Sequence, residues 1–384
     1  MHFADFDHAA FLRDTWQKRP LLIRNPWTNW QNPLEPDELA GLACEEAGVE
    51  SRLITRRPSG MVLESGPFPV TRFAKAETAP WTLLLQAADH HVPEVAALIA
   101  PFRFVPDWRI DDVMVSYATN GGGVGPHFDQ YDVFLVQGLG QRRWRVGPRC
   151  DAETPLLPHD DLRLIADFDA TGDWVLEPGD ILYVPPGFAH DGLAVGGDCM
   201  TYSIGFRAPS RADLVEGWAA HLADCLPEDD RYTDADLTPQ AHPGEITPAA
   251  LARLHAMATS ALADQAAFAR WFGEYNSLPK HGEADWRPET PTALEAVRAL
   301  LIGGVPLLRN PASRFAFIRQ ENEAVLLFVD GRSFDCTGEA AMFAAHLCAH
   351  SAMVLHPNHA ASPAVTGLIA ALIDQCSLAF EEDD

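Results

Sequence analysis

Six strand-like runs crowd into the stretch between Asp112 and Phe206, at residues 112–118, 128–137, 142–146, 174–176, 180–184 and 199–206. The turns between them are rich in glycine and proline, which break helices and rarely sit inside a central strand. A long helix has no room here. Many short strands closed by such turns predict an antiparallel barrel or jelly roll. Ahead of it, 9–18 reads as a short amphipathic helix closed by Pro20, 21–24 as a strand, and 35–47 as a helix with Pro36 and Asp37 in its first turn. The pair 51–56 and 60–64 reads as a hairpin around Pro58-Ser-Gly60, and the apolar runs 81–88 and 92–99 read as helices.

Beyond Arg211 the pattern changes. Leucine, alanine and tryptophan recur at helical spacing over 212–225, 248–262 and 265–275, and an acidic, proline-containing stretch at 227–244 separates the first two. Their apolar faces suit a core or a dimer interface. From about Pro288 the chain reads as helix 291–301, strands 305–308, 315–319 and 324–329, and helices 338–350 and 363–375, with Asp330-Gly331 as a tight-turn signal. That is a small α+β domain of winged-helix type, low in basic residues and therefore expected to be a poor DNA binder. The expected divisions are 1–209 for the barrel domain (core about 90–209), 210–285 for the helical segment and 286–384 for the C-terminal domain, within the range for 384 residues.

Chemistry concentrates where glycines lead into a strand, at Gly121-Gly-Gly-Val-Gly-Pro-His127-Phe-Asp129. Side chains alternate along an extended chain, so His127 and Asp129 are expected on one face and Phe128 on the other. One imidazole and one carboxylate are two thirds of the 2-His-1-carboxylate set that holds non-haem Fe(II). The missing histidine is supplied by Glu177-Pro-Gly-Asp-Ile-Leu-Tyr-Val-Pro-Pro-Gly-Phe-Ala-His190, where proline and glycine make a stiff turn that presents His190. A second His-x-Asp, His159-Asp160-Asp161, sits in a polar loop with no glycine lead-in and no strand close behind it. His-x-Asp alone is thus a weak signal.

Three protein ligands leave open positions on iron for an oxygen substrate and a chelating co-substrate. A dicarboxylic 2-oxo acid would chelate through its ketone and one carboxylate, leaving the far carboxylate to be neutralised. Arg142 is the candidate, because a guanidinium pairs with a carboxylate bidentately. Alternation puts Arg142 with Trp144 on one face and Arg143 with Arg145 on the other. A hydroxyl from Ser116 or Tyr117, on the preceding strand, would complete the pocket.

Charge bounds the partners. Lys and Arg number 28 against 54 Asp and Glu, a formal charge of −26. Such a surface disfavours nucleic acid as a direct ligand and suits a basic protein partner, besides keeping the chain in solution. Seven scattered cysteines, with no C-x-x-C spacing, are expected as free thiols of a reducing compartment. With no signal-like N-terminus and no apolar run of membrane-spanning length, a cytoplasmic location is expected and no membrane partner.

His127-Phe-Asp129, Arg142 and Pro185-Pro-Gly-Phe-Ala-His190 resemble the JmjC branch of the cupin-fold Fe(II)/2-oxoglutarate oxygenases. The longer stretches Trp16-Gln-Lys-Arg-Pro20, Pro106-Asp-Trp-Arg-Ile-Asp-Asp112, 121–137, Arg142-Arg-Trp-Arg-Val-Gly147 and Tyr202-Ser-Ile-Gly-Phe-Arg-Ala-Pro209 are similar to the bacterial ribosomal oxygenases. Those are arginine 3-hydroxylases acting on large-subunit ribosomal protein sixteen. The similarity runs over nearly the whole chain, most strongly at 106–209. It implies a double-stranded β-helix (cupin/jelly-roll, JmjC), mainly β with α, followed by a helical dimerisation segment and a winged-helix-like domain. It implies Fe(II) held by His127, Asp129 and His190, with 2-oxoglutarate as co-substrate on Arg142 and Ser116, and O2 consumed. Thr201 stands where that family pattern has asparagine, and its hydroxyl can still donate one hydrogen bond to the co-substrate region.

The reaction implied is decarboxylation of 2-oxoglutarate to succinate coupled to hydroxylation of an arginine in a basic ribosomal protein, by a likewise implied homodimer. Tyr131 and Asp132, or Asp111 and Asp112 at the barrel mouth, are the candidates for holding that arginine, with the glycines at 121–123 and 125 as pliable backbone beside the passing peptide. Two alternatives stay open: a JmjC-type lysine demethylase or hydroxylase, and a non-catalytic cupin-like binding module.

Overall fold

The computed structural model describes residues 2–45, 48–74, 79–280 and 290–381. Contacts within the chain divide it into two units, Met1–Ala208 with Lys280–Arg287 and Arg309–Ala312, and Pro209–Pro279 with Pro288–Leu308 and Ser313–Asp384.

Among the described residues of the first unit, nine strands join one sheet: β1 (Leu21–Ile23), β2 (Ser51–Arg57), β3 (Gly60–Ser65), β4 (Trp81–Leu85), β5 (Ile110–Ala118), β6 (Asp132–Arg149), β7 (Gly172–Leu176), β8 (Ile181–Val184) and β9 (Phe188–Phe206). The order is β1-β8-β6-β9-β5-β4-β2-β3, with β7 added on β6, and every pairing is antiparallel. Strands β6 and β9 pair from Asp132↔Phe206 to Arg149↔Phe188. The first half of β6 takes β8 as its other neighbour and the second half takes β7. Each long strand thus serves two layers, which is a double-stranded β-helix.

Both faces of this sheet are covered, and the sequence pattern follows. Phe134 and Val136 join Val113, Val115, Tyr202 and Ile204 in a core with Phe11, Leu39, Leu98 and Phe102 from the helices and turns outside the sheet. Val133 and Leu135 pack on the opposite face with Trp144, Val146, Leu176, Leu182 and Val184. Burying a phenylalanine such as Phe134 contributes about 1.5–3 kcal/mol.

Covering both faces also explains the main departure from expectation. Residues 81–88, expected as a helix, hold strand β4 between β2 and β5. Leu83 and Leu85 enter the outer core while Leu84 faces inward, so the three consecutive leucines are apolar on both faces and show no alternation. The turn expected at 138–141 is likewise absent: β6 runs straight through it on two register slips against β9, with Gly140 at φ 60°. The helix expected at 92–99 is α-helical only over Pro93–Ala96 and continues as 3-10 turns to Phe102, with Pro101 inside them. The helices expected at 9–18 and 35–47 end early, at Asp14 and Leu42.

The second unit begins with helices Arg211–Cys225, Pro248–Leu262 and Gln265–Asn276. The third helix packs Gly273 directly against Phe328. Helix Pro248–Leu262 buries none of its residues. The remainder gathers helices Leu294–Gly303, Glu339–Ala349 and Pro363–Asp374 with an antiparallel sheet of Phe315–Arg319, Val325–Val329 and Arg332–Cys336, around Leu301, Leu327, Phe343, Leu347 and Ile369. Asp330 and Gly331 both have positive φ, 49° and 80°, as a type I′ hairpin turn requires. No helix among the described residues is long and apolar enough to cross a membrane.

Candidate metal centre

His127 and Asp129 lie just ahead of β6, not within a strand as expected. What holds them is pairing at the backbone. His127 N–H donates to His190 O (3.0 Å) and His190 N–H to His127 O (2.8 Å), while Gly187 N–H donates to Asp129 O (2.7 Å). The stiff Pro185-Pro186-Gly187 turn, with Gly187 at φ 80°, therefore carries both histidines into one place.

Each imidazole gives one nitrogen to the backbone and keeps the other free. His127 Nδ1 donates to Gly125 O (2.8 Å) and His190 Nδ1 to Phe188 O (3.0 Å). That fixes the proton on Nδ1 and leaves both Nε2 atoms facing Asp129 Oδ2, at 3.9 and 3.6 Å. The three ligand atoms lie within 4.8 Å of one another, and among the described residues no other group of His, Cys, Asp or Glu is arranged to hold a metal. Burial, and then the neighbouring His127, lower the pKa of His190 to about 4, so it stands ready as a neutral donor. Two imidazoles and one carboxylate with open positions fit Fe(II).

The triad lines a cavity of about 310 Å³ that also contains Arg142 and Ser116. Arg142 is 3% exposed, and its Nη1 donates to Ser116 Oγ (2.8 Å) and Thr201 Oγ1 (3.2 Å). Thr201 in turn donates to Gln137 Oε1 (3.1 Å). Ser116, Thr201 and Gln137 sit opposite one another on β5, β9 and β6, which is how strands far apart in sequence build one polar row. Among the described residues no carboxylate pairs with Arg142, and its Nε has no partner. Burial lowers its pKa, the mark of a charge awaiting compensation. The donor set fits a co-substrate carboxylate. Tyr117, the other hydroxyl considered, points instead to Asp198 (2.6 Å).

The four candidates for the substrate pocket separate. Tyr131 lines the cavity and keeps 43% of its surface exposed, while its phenol is raised above the ordinary tyrosine range by burial and by Asp129 beside it. Asp132 is a correction: it is fully buried, taking hydrogen bonds from Tyr183 (2.6 Å), Gln17 (2.9 Å) and Arg109 (3.0 Å), and it offers nothing to a ligand. It starts β6 facing inward to the protein, and sequence position next to Tyr131 did not reveal that. Asp111 and Asp112 both meet Lys280, at 3.0 and 2.9 Å, and neither lines the cavity.

Glycines 122 and 123 have a structural reason of their own. A Cβ on Gly122 would strike the Trp81 and Thr119 carbonyls, and one on Gly123 would strike Gly192 O. They let the backbone lie flat against its neighbours, and the expected pliable path for a peptide is not needed to explain them. Met114, Ser203 and Leu135 also line the cavity. Alternation from Ser116 and Thr201 could have found the first two, because residues two apart share a face.

A β-helix whose open end holds a 2-His-1-carboxylate set, beside a buried arginine without a counter-ion, defines a mononuclear non-haem iron oxygenase that takes a 2-oxo acid. Comparison with known proteins agrees. Residues 97–214 match the JmjC domain and residues 260–379 the ROXA-like winged helix. The ribosomal protein uL16 3-hydroxylase of Escherichia coli is 42% identical over 299 residues, 78% of this chain and 79% of that protein. The X-ray structure of E. coli YcfD superposes with a TM-score of 0.89 at 37% identity, covering 99% of this chain and 100% of that one. The structure of YcfD, a ribosomal oxygenase, in complex with cobalt and 2-oxoglutarate matches with a TM-score of 0.86 at 36% identity, covering 99% of both chains. The chain belongs to the JmjC-type ribosomal oxygenases. Its cofactor is Fe(II), with 2-oxoglutarate and O2 as co-substrates.

Proposed function

We propose that this chain hydroxylates an arginine side chain at C3 in a basic large-subunit ribosomal protein, the uL16 named for the E. coli relative, in the cytoplasm. The observation that carries the reading is Arg142, a buried guanidinium with no carboxylate, in the same cavity as the triad.

His127, Asp129 and His190 would hold the iron, with Nε2 of each histidine turned inward by its Nδ1 hydrogen bond. Bound there, Fe(II) supplies the oxidative chemistry by which O2 and 2-oxoglutarate become succinate and CO2 while one oxygen atom enters a substrate C–H bond. Arg142 would pair with the far carboxylate of 2-oxoglutarate, with Ser116 and Thr201 orienting the guanidinium. Val133, Leu135 and Trp144 line the cavity and exclude water around the reacting carbon. Tyr131 would form an aromatic wall for the substrate arginine. Asp112 is buried and already takes hydrogen bonds from Gln86 and Ala87 beside Lys280, and Asp111 pairs with Lys280, so neither carboxylate is left for the substrate guanidinium. The formal charge of −26 favours a basic protein over nucleic acid.

We read 1–209 as the catalytic domain, 210–285 as a dimerisation segment and 286–384 as the winged-helix-like domain. Helix Pro248–Leu262, with Leu251 60% exposed and Leu254 43% exposed, supports a homodimer through that segment. Sedimentation at micromolar concentration should then show about twice the 42.1 kDa monomer.

The deciding experiment incubates the protein with Fe(II), ascorbate, 2-oxoglutarate and a uL16-derived peptide, reading succinate and a mass gain of about 16 Da on arginine. Modification of lysine alone would select the demethylase or lysine-hydroxylase reading. No succinate above a His127→Ala control would leave a non-catalytic binding module.

A further inference from the structure

The second His-x-Asp motif, at 159–161, turns out to lie at the same cavity. Asp161, Leu162, Arg163 and Leu164 line it together with the triad. The loop that carries them joins β6 to β7, and it is tied down at both ends of its course. Leu157 N–H donates to Leu164 O (2.7 Å), and Ala166 N–H to Pro155 O (3.0 Å), so the loop closes on itself. Ile165 N–H donates to Pro126 O (2.8 Å), which fastens it to the residue just before His127.

His159 supplies the remaining tie. Its Nδ1 accepts from the backbone N–H groups of Asp161 (3.1 Å) and Leu162 (3.0 Å). With Nδ1 an acceptor, the proton belongs on Nε2, which lies 3.0 Å from Met61 O and donates to it. Met61 and Leu164 also approach each other over Gly125, where an added Cβ would come to 2.9 Å from Met61 Cε and 3.0 Å from Leu164 Cδ2. Gly125 O is the acceptor that orients His127. One imidazole therefore shapes the loop with one nitrogen and binds it to strand β3 with the other, beside the support of a metal ligand.

We infer that His159 is a positioning residue for the substrate: its bridge to Met61 holds the wall Asp161–Leu164 in place on the cavity. This rests on the hydroxylase reading above. Among the described residues, Arg142, Ser116 and Thr201, which deal with the co-substrate, hydrogen-bond to one another and to Gln137 and not to this wall, so the effect of losing the bridge falls on the peptide. Two substitutions divide the roles of the two nitrogens. His159→Asn keeps an acceptor near the Nδ1 position and loses the reach to Met61. His159→Gln can still reach Met61 and loses the local turn.

The test uses the full chain with Fe(II), 2-oxoglutarate and the uL16-derived peptide, together with deuterium uptake over 157–166, which needs no substrate. In His159→Ala and His159→Asn the peptide KM should rise about fivefold, the size of one lost hydrogen bond. The 2-oxoglutarate KM should stay as in the wild type, kcat should change less than twofold, and uptake at Ile165 should speed up. His159→Gln should restore most of the peptide KM. Unchanged uptake in His159→Asn would overturn the inference, whether or not the peptide turns over. So would a KM shift shared by both substrates, or rescue by asparagine and not by glutamine. Failure of the wild type to modify the peptide would instead count against the hydroxylase reading.

Discussion

His127-Phe128-Asp129 and His159-Asp160-Asp161 have the same spacing, and only one of them is built to bind a metal. Both histidines hydrogen-bond to backbone, and the difference lies in how many nitrogens each has left. His127 spends Nδ1 on Gly125 O and turns Nε2 to Asp129 and His190. His159 spends Nδ1 on two amides and Nε2 on Met61 O. A ligand is a donor that the fold has oriented but not consumed. The same imidazole, fully consumed, is a structural bolt.

The sharpest way to break this comparison is to measure metal binding in both motifs. Co(II) absorbance should vanish in His127→Ala and His190→Ala, along with all succinate formation, while His159→Ala should bind cobalt as the wild type does. A loss of cobalt in His159→Ala would erase the distinction.

Next in size is Arg142, whose Nε has no partner in the cavity. Arg142→Ala should cost about 1.5–3 kcal/mol in 2-oxoglutarate binding, or roughly 10- to 100-fold in its KM, because a charge-assisted pair is lost. Metal affinity measured without 2-oxoglutarate should hold. If the 2-oxoglutarate KM stayed constant, another cation would be the partner.

A third measurement concerns the pH dependence of the metal-free fold. Burial keeps His190 neutral down to about pH 4, while in the unfolded chain it takes up a proton near the ordinary 6.5. Between those values the unfolded state holds more protons, so stability should fall as the pH drops from 6.5 to 4, by about 3 kcal/mol from this residue. Above 6.5 the residue is neutral in both states and contributes no slope. Chemical denaturation of His190→Gln across that window should show a flatter profile, and an identical slope would sink the assignment.

The smallest effect is expected where the two motifs touch. Gly125 has φ 83°, a conformation that costs an L side chain about 1 kcal/mol, and its carbonyl orients His127. Gly125→Ala should lower the melting temperature by a few degrees and weaken cobalt binding only severalfold. A loss as large as that of His127→Ala would mean that the loop, and not the imidazole, decides the site.

Much of the site could be read from the chain because its signals are local. His127, Asp129 and His190 announce themselves through glycine and proline beside them, and Arg142 through its place on an alternating strand. Ser116 was one of two hydroxyls on the preceding strand, Thr201 entered only through the resemblance, and the strand register then showed the two opposite each other. Residues 81–88 misled for a physical reason: a strand covered on both faces has no period to read. Asp132 misled because a carboxylate beside the site can as well face Tyr183 and Arg109 as a substrate.

Residue type, backbone stiffness and alternation are properties of neighbours in sequence, and from these the chain by itself determined the β-rich architecture, the three ligands and the arginine. Which nitrogen stays free is a property of neighbours in space. The carbonyl that occupies His159 belongs to Met61, 98 residues away, and the strand that carries His190 to His127 arrives only when the sheet has closed. The tertiary structure alone decided that one His-x-Asp became a metal centre and the other a fastening for the wall beside it.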